Sequence, residues 1–175
     1  MASPDPSRES KWTPVPTGPW VDSELSVPLL EDSGFSLRAD DLLIYSTGFT
    51  LRLIGHGRGN WPGVIAIKDN QLPWEQIEVE IQFANGRAAR LNDSAGLKSG
   101  AGPVVTWNSC KSGWTDDSGN ESFEFILWIW PLPPLGPVTL LIDWPHIGLR
   151  GGQVLLEGSK RRRVATQLPP PSTST

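Results

Sequence analysis

Hydrophobic residues in this chain recur at every second position far more often than at every third or fourth. The clearest run covers residues 77–83, where Ile77, Val79, Ile81 and Phe83 alternate with Glu78, Glu80 and Gln82. That period sets one face on a core and the other in water, which predicts a half-buried strand. Asn85-Gly86 follows at once. This dipeptide readily supplies positive φ, so a two-residue hairpin turn is predicted, with residues 87–91 as the returning strand. Residues 123–130 behave differently. Phe123, Phe125, Leu127 and Ile129 share one face, while Ile126, Trp128 and Trp130 share the other. A strand that is apolar on both faces needs cover on both, and belongs inside a sheet rather than at its rim. Pro131, Pro133, Pro134 and Pro137 then stiffen a loop, because none can donate a ladder hydrogen bond. A second strand follows, with Val138, Leu140, Ile142 and Trp144 on one face. The two are expected to form a hairpin.

Weaker versions of the same pattern predict strands at 25–30, 35–39, 41–45, 49–54, 64–67, 104–107 and 154–157. Pro28 assigns the first of these to an edge. Residues 55–63 (GHGRGNWPG) and 108–121 (NSCKSGWTDDSGNE) are predicted as surface loops, and 147–152 as a turn. No helical period and no internal repeat stand out. The expected fold is all-β, an antiparallel β-sandwich of immunoglobulin-like type or a related barrel, over residues 23–158. Disordered tails are expected on either side. Residues 1–22 form a Pro-rich arm that includes Trp12 and Trp20, and residues 159–175 combine Lys160–Arg163 with Pro, Ser and Thr.

The run WIWPLPPLGPVTLLIDWPHIGL, with the upstream FANGRAA, resembles a set of uncharacterised actinobacterial proteins. These share a W-x-W-P-L-P-P-x-G-P hairpin and a W-P-x-x-G-[IL] corner. The matching residues are Trp128, Trp130, Pro131, Leu132, Pro133, Pro134, Gly136, Pro137, Trp144, Pro145, Gly148 and Leu149, within a likeness spanning residues 35–157. The resemblance implies a shared fold and carries no activity or catalytic residue across.

Composition narrows the function classes. The chain has 175 residues and a formal net charge of -4, so no global basic field recruits nucleic acid or an anionic membrane. Cys110 is the single cysteine, which excludes an internal disulfide framework and suits a reducing cytosol. No segment has the apolar core of a secretory signal or the length of a spanning helix. A cytoplasmic location is therefore expected. No cofactor motif appears, and no zinc ligand set can be assembled from two histidines and one cysteine.

Nine tryptophans against one tyrosine is the uncommon chemistry here. Trp128, Trp130 and Trp144 lie inside strand patterns and read as packing residues. Trp61 and Trp114 lie in the two polar loops, where indoles could form an aromatic binding patch. His56, Asp116 and Asp117 sit on the same loops and would supply polar contacts at its rim. The Asp116–Glu121 cluster lacks the spacing of a calcium loop, and reads as a solvated turn. The expected function is a non-enzymatic protein-interaction or accessory module, with a protein partner and room for self-association. A carbohydrate-binding module using the loop tryptophans, with a glycan partner, is the alternative. A small hydrolase whose site follows no known motif is the second.

Overall fold

In a computed structural model, residues 18–32, 34–58, 76–93 and 102–169 are described. Among the described residues there are nine strands: β1 (Val21–Glu31), β2 (Phe35–Ile44), β3 (Phe49–Gly57), β4 (Glu78–Phe83), β5 (Ala88–Arg90), β6 (Val104–Thr115), β7 (Glu121–Trp130), β8 (Pro137–Trp144) and β9 (Leu149–Glu157). They form two antiparallel sheets, one in the order β1-β2-β3-β7-β6 and the other β5-β4-β8-β9. The alternating residues of both sheets meet in one core, as the sequence pattern requires. Both open sides of the sandwich are drawn together. Leu91, just past β5, bridges Val105 of β6. On the far side a Cβ at Gly152 of β9 would lie 3.1 Å from the Leu29 carbonyl oxygen of β1. The sandwich is thus close to a barrel.

Strand β7 lies between β3 and β6, and both its faces are buried. Phe123, Phe125, Leu127 and Ile129 enter the main core, whereas Trp128 and Trp130 pack with Tyr45 and Val104 in a second cluster on the outer face. Tyr45 meets Trp128 edge-on at a centroid distance of 5.7 Å. The inner aromatics form a knot at one end of the core. Phe35 stacks on Phe123 at 5.6 Å, and Trp144 from the opposite sheet stands edge-on to Phe35, Phe123 and Phe125. Gly55 makes the room, since a Cβ there would sit 2.0 Å from the Phe123 ring.

Several expectations are corrected. Strands β7 and β8 are not a hairpin, because they belong to different sheets. The proline-rich run between them is a corner that carries the chain across the core. Alternation reports which face of a strand is buried and not which strand is its neighbour. Residues 55–57 extend β3 rather than opening a loop, because Gly55 lies against Phe123. Residues 108–115 likewise continue β6, whose backbone pairs with β7 through two register shifts. Bulges of that kind break the period that a strand prediction relies on. The turn after β4 has three residues rather than two. The Phe83 N–H donates to the Arg87 carbonyl and the Gly86 N–H to that of Phe83, with Gly86 at φ +81.

The tail expected over 159–175 begins instead as a helix, α1 (Gly158–Ala165). Its buried residues are Gly158, Arg161 and Ala165. None is a large hydrophobe, so no apolar period announced it. Helix α1 is locked to the corner: the Gly158 N–H donates to the Gly136 carbonyl at 2.9 Å, and the Gly136 N–H donates to Ser159 Oγ at 3.0 Å. Of the expected N-terminal arm, residues 1–17 lie outside the described residues, and β1 starts at Val21 beside a half-exposed Trp20. The predicted strand at 64–67 also lies outside the described residues.

Two substitutions test this packing. Trp128→Ala should cost about 3–5 kcal/mol in chemical denaturation, the range for a buried aromatic truncated to Ala. A loss below about 1 kcal/mol would place the indole in solvent, since surface changes stay near that scale. Gly55→Ala should destabilise by about 1–3 kcal/mol through overpacking against Phe123. A neutral result would show that the knot is loosely filled.

Candidate functional site

The residues singled out from sequence fall at one end of the five-stranded sheet, with one exception. Trp61 lies outside the described residues. His56 is on β3 and not in a loop, exposed, with Nδ1 2.9 Å from Ser122 Oγ of β7. Trp114 is in β6, where its backbone also stands opposite Ser122. The register therefore brings His56 and Trp114 into one row across β3, β7 and β6. Asp116 and Asp117 belong to the turn that joins β6 to β7, and both are exposed.

Asp116 builds that turn. Its Oδ1 accepts the Ser118 and Asn120 backbone N–H groups at 2.8 and 2.9 Å, and its Oδ2 accepts Asn120 Nδ2 at 2.9 Å. These bonds, the Asn120 side chain first, hold the Asp116 carboxyl below its ordinary value. Its oxygens are therefore committed to the turn. Among the described residues, no group of three or more His, Cys, Asp or Glu is placed to hold a metal ion. None of the described helices is long and apolar enough to cross a membrane.

The outer face of the five-stranded sheet carries a charge cluster that the sequence reading missed. Arg52 of β3 pairs with Asp40 at 2.9 Å and with Asp41, and Glu124 of β7 lies 3.7 Å away. A bulge in β2 delivers the two consecutive aspartates to one guanidinium. Burial outweighs Arg52 at Asp41 and, with Asp22 and Asp40 nearby, raises its carboxyl above the ordinary range.

A second feature had no counterpart in the sequence reading. On the outer face of the four-stranded sheet lies a groove of about 480 Å³, lined by Glu78, Glu80, Leu91, Arg90, Leu141 and Asp143 with Ile77 and Val79. The antiparallel register sets Glu78 of β4 opposite Asp143 of β8, and Glu80 opposite Leu141. Glu80 accepts from Gln82 Nε2 at 2.7 Å and from Arg90 Nε at 3.1 Å, which lowers its pKa. Asp143 Oδ1 accepts the Gly151 N–H at 2.6 Å. Among the described residues, three carboxylates thus face one guanidinium, already bonded to Glu80, above aliphatic side chains. The signal was present in the sequence as Glu78 and Glu80 on the polar side of an alternating strand. Their meeting with Asp143, more than sixty positions away, depends on the pairing of β4 with β8.

No protein-family model, no curated protein and no solved structure matches this chain.

The Asp116 turn has a pH signature. A carboxyl lowered in the fold stabilises it fully above the ordinary value of 3.8, and that contribution is lost as pH falls through the lower folded value. The Ser118 and Asn120 amide shifts should therefore titrate with a midpoint below 3.8, and Asn120→Ala should move it upward. A wild-type midpoint at or above 3.8 would mean that the carboxylate does not hold the turn.

Proposed function

We propose that this chain is a protein-binding module, and that the groove over β4, β5 and β8 receives a basic, aliphatic segment of its partner. The observation that carries this reading is the register pair Glu78–Asp143. Like charges directly opposite on neighbouring strands destabilise a sheet. Here they stand at the edge of a groove where, among the described residues, the one guanidinium is bonded to Glu80. A cationic side chain from a partner would relieve that repulsion, while Leu141 and its aliphatic neighbours would take up apolar contact.

Among the described residues the groove lining contains no aromatic side chain, which favours a peptide over a sugar ring at this surface. A hydrolase would need a base held in place for its nucleophile. His56 and Ser122 have the right atoms, but among the described residues no carboxylate hydrogen bonds to the imidazole. A non-enzymatic role, inside the cell, is the reading that fits these features together.

The test uses a synthetic peptide of alternating Lys and Leu, with a Glu/Leu peptide as control, in calorimetric titrations against the full chain. The basic peptide should bind and the acidic one should not. Glu78→Gln should weaken that binding while raising stability by about 0.2–1 kcal/mol, because it removes one of two opposed charges. Equal binding of both peptides, or an affinity indifferent to Glu78→Gln, would remove the groove from consideration. Binding of a neutral oligosaccharide in its place would support the glycan alternative.

A further inference from the structure

We propose that the groove's partner is a second copy of this chain, with two copies stacked antiparallel through the outer faces of their four-stranded sheets. This rests on the reading of the groove as a protein-binding surface, and it names the occupant.

Charge is unevenly distributed along the β8–β9 ladder. At one end Asp143 faces Glu78, with Glu80 one row further on. At the other end Pro137 pairs with Glu157, and α1 follows directly. Helix α1 buries Arg161 and exposes Lys160, Arg162 and Arg163. Arg162 is steadied there by a contact from Nη1 to the Pro133 carbonyl at 3.4 Å. Asp143 lies six positions along β8 from Pro137, so the acidic and basic ends lie about 20 Å apart.

Between them the face is less charged. Thr139 pairs with Leu155 on one side and Gln82 on the other. Leu155 is 68% exposed, a large aliphatic side chain on a sheet surface. Leu135, 72% exposed, projects from the corner beyond Pro137.

A two-fold axis through the Thr139–Leu155 region reverses the ladder. It sets the acidic groove of each copy against α1 of the other, and makes both contacts at once. The same rotation brings the two Leu155 side chains toward each other. A parallel stack would place carboxylates on carboxylates, so charge selects the antiparallel arrangement. The partner chemistry deduced for the groove, cationic with aliphatic neighbours, is thereby present on the chain itself.

The full chain should sediment as a concentration-dependent dimer that weakens as salt rises. Glu78→Lys with Glu80→Lys makes both ends basic, and Arg162→Glu with Arg163→Glu makes both ends acidic. Each double variant should raise the dimer dissociation constant by at least about tenfold. Mixed in equal amounts, the two should recover a heterodimer, because every contact is again between opposite charges. Leu155→Arg should weaken the dimer in either setting, and thermal melts confirm that each variant is folded. A wild-type chain that stays monomeric to millimolar concentration overturns the inference, as does a dimer indifferent to both reversals or a mixture that fails to associate. The Lys/Leu peptide separates the two readings. If it binds the groove of the Arg162→Glu, Arg163→Glu variant while the wild type is monomeric, self-pairing is wrong and the groove remains a binding surface. If neither peptide nor second copy binds, both are wrong.

Discussion

The fold turns on the contact between Trp144 and the paired rings of Phe35 and Phe123. Trp144 belongs to the four-stranded sheet and the phenylalanines to the other, so this edge-to-face cluster joins the two layers. Edge-on rings match positive edge to negative face, and buried aromatics also supply the largest areas removed from water. The arrangement has consequences for the backbone on either side. Phe123 can lie across β3 only because position 55 has no Cβ, and Trp144 can reach it only because the corner has carried the chain from one sheet to the other. The prolines of that corner leave few N–H groups needing partners. Two that remain are met, the Leu132 N–H by the Thr47 carbonyl and the Gly136 N–H by Ser159 Oγ.

Strand β7 makes a second demand. Burying Trp128 and Trp130 on its outer face takes cover from Tyr45 and Val104, and it takes close backbone at Gly48 and Gly102. A Cβ at Gly48 would lie 2.6 Å from the Trp128 ring, and one at Gly102 would lie 2.8 Å from that of Trp130. The same sheet is therefore covered at one end of its outer face by tryptophans and charged further along, around Arg52. A strand with two apolar faces need not be covered by a layer of secondary structure. Here a local cluster does it.

What could be read from sequence follows from what alternation encodes. The inward residues of β4, β7 and β8 were legible because burial on one face leaves a period of two. So was the interior position of β7, from its two apolar faces. Connectivity was not legible, and the corner between β7 and β8 looked like a hairpin because both options need a turn. Strand ends were missed where glycine or a bulge interrupts the period, at 55–57 and 108–115. Helix α1 was missed because Gly158, Arg161 and Ala165 carry its buried side. Of the site residues, His56 was expected on a loop and lies on β3, while Asp116 lies in the turn that joins β6 to β7. The Asp116 oxygens nevertheless serve the turn. The groove was hidden because Glu78, Glu80 and Asp143 become neighbours only through strand pairing.

The charged residues on the two outer faces differ in a way that bears on function. Around Arg52 each of three carboxylates, on Asp40, Asp41 and Glu124, has the guanidinium within ion-pair distance. In the groove, Arg90 answers Glu80 and the Gly151 N–H answers one oxygen of Asp143, which leaves Glu78 facing Asp143 with no cation between them among the described residues. A protein gains nothing in isolation from holding two like charges opposite one another, because replacing either with a neutral residue would relieve the sheet. Repulsion of that kind is tolerable where it is small beside the total stability, and becomes useful where a cation arrives to share both carboxylates. The cost then falls on the free chain and the relief on the complex. On the proposed reading this is what distinguishes the groove from the charge cluster around Arg52, where every carboxylate already has its cation.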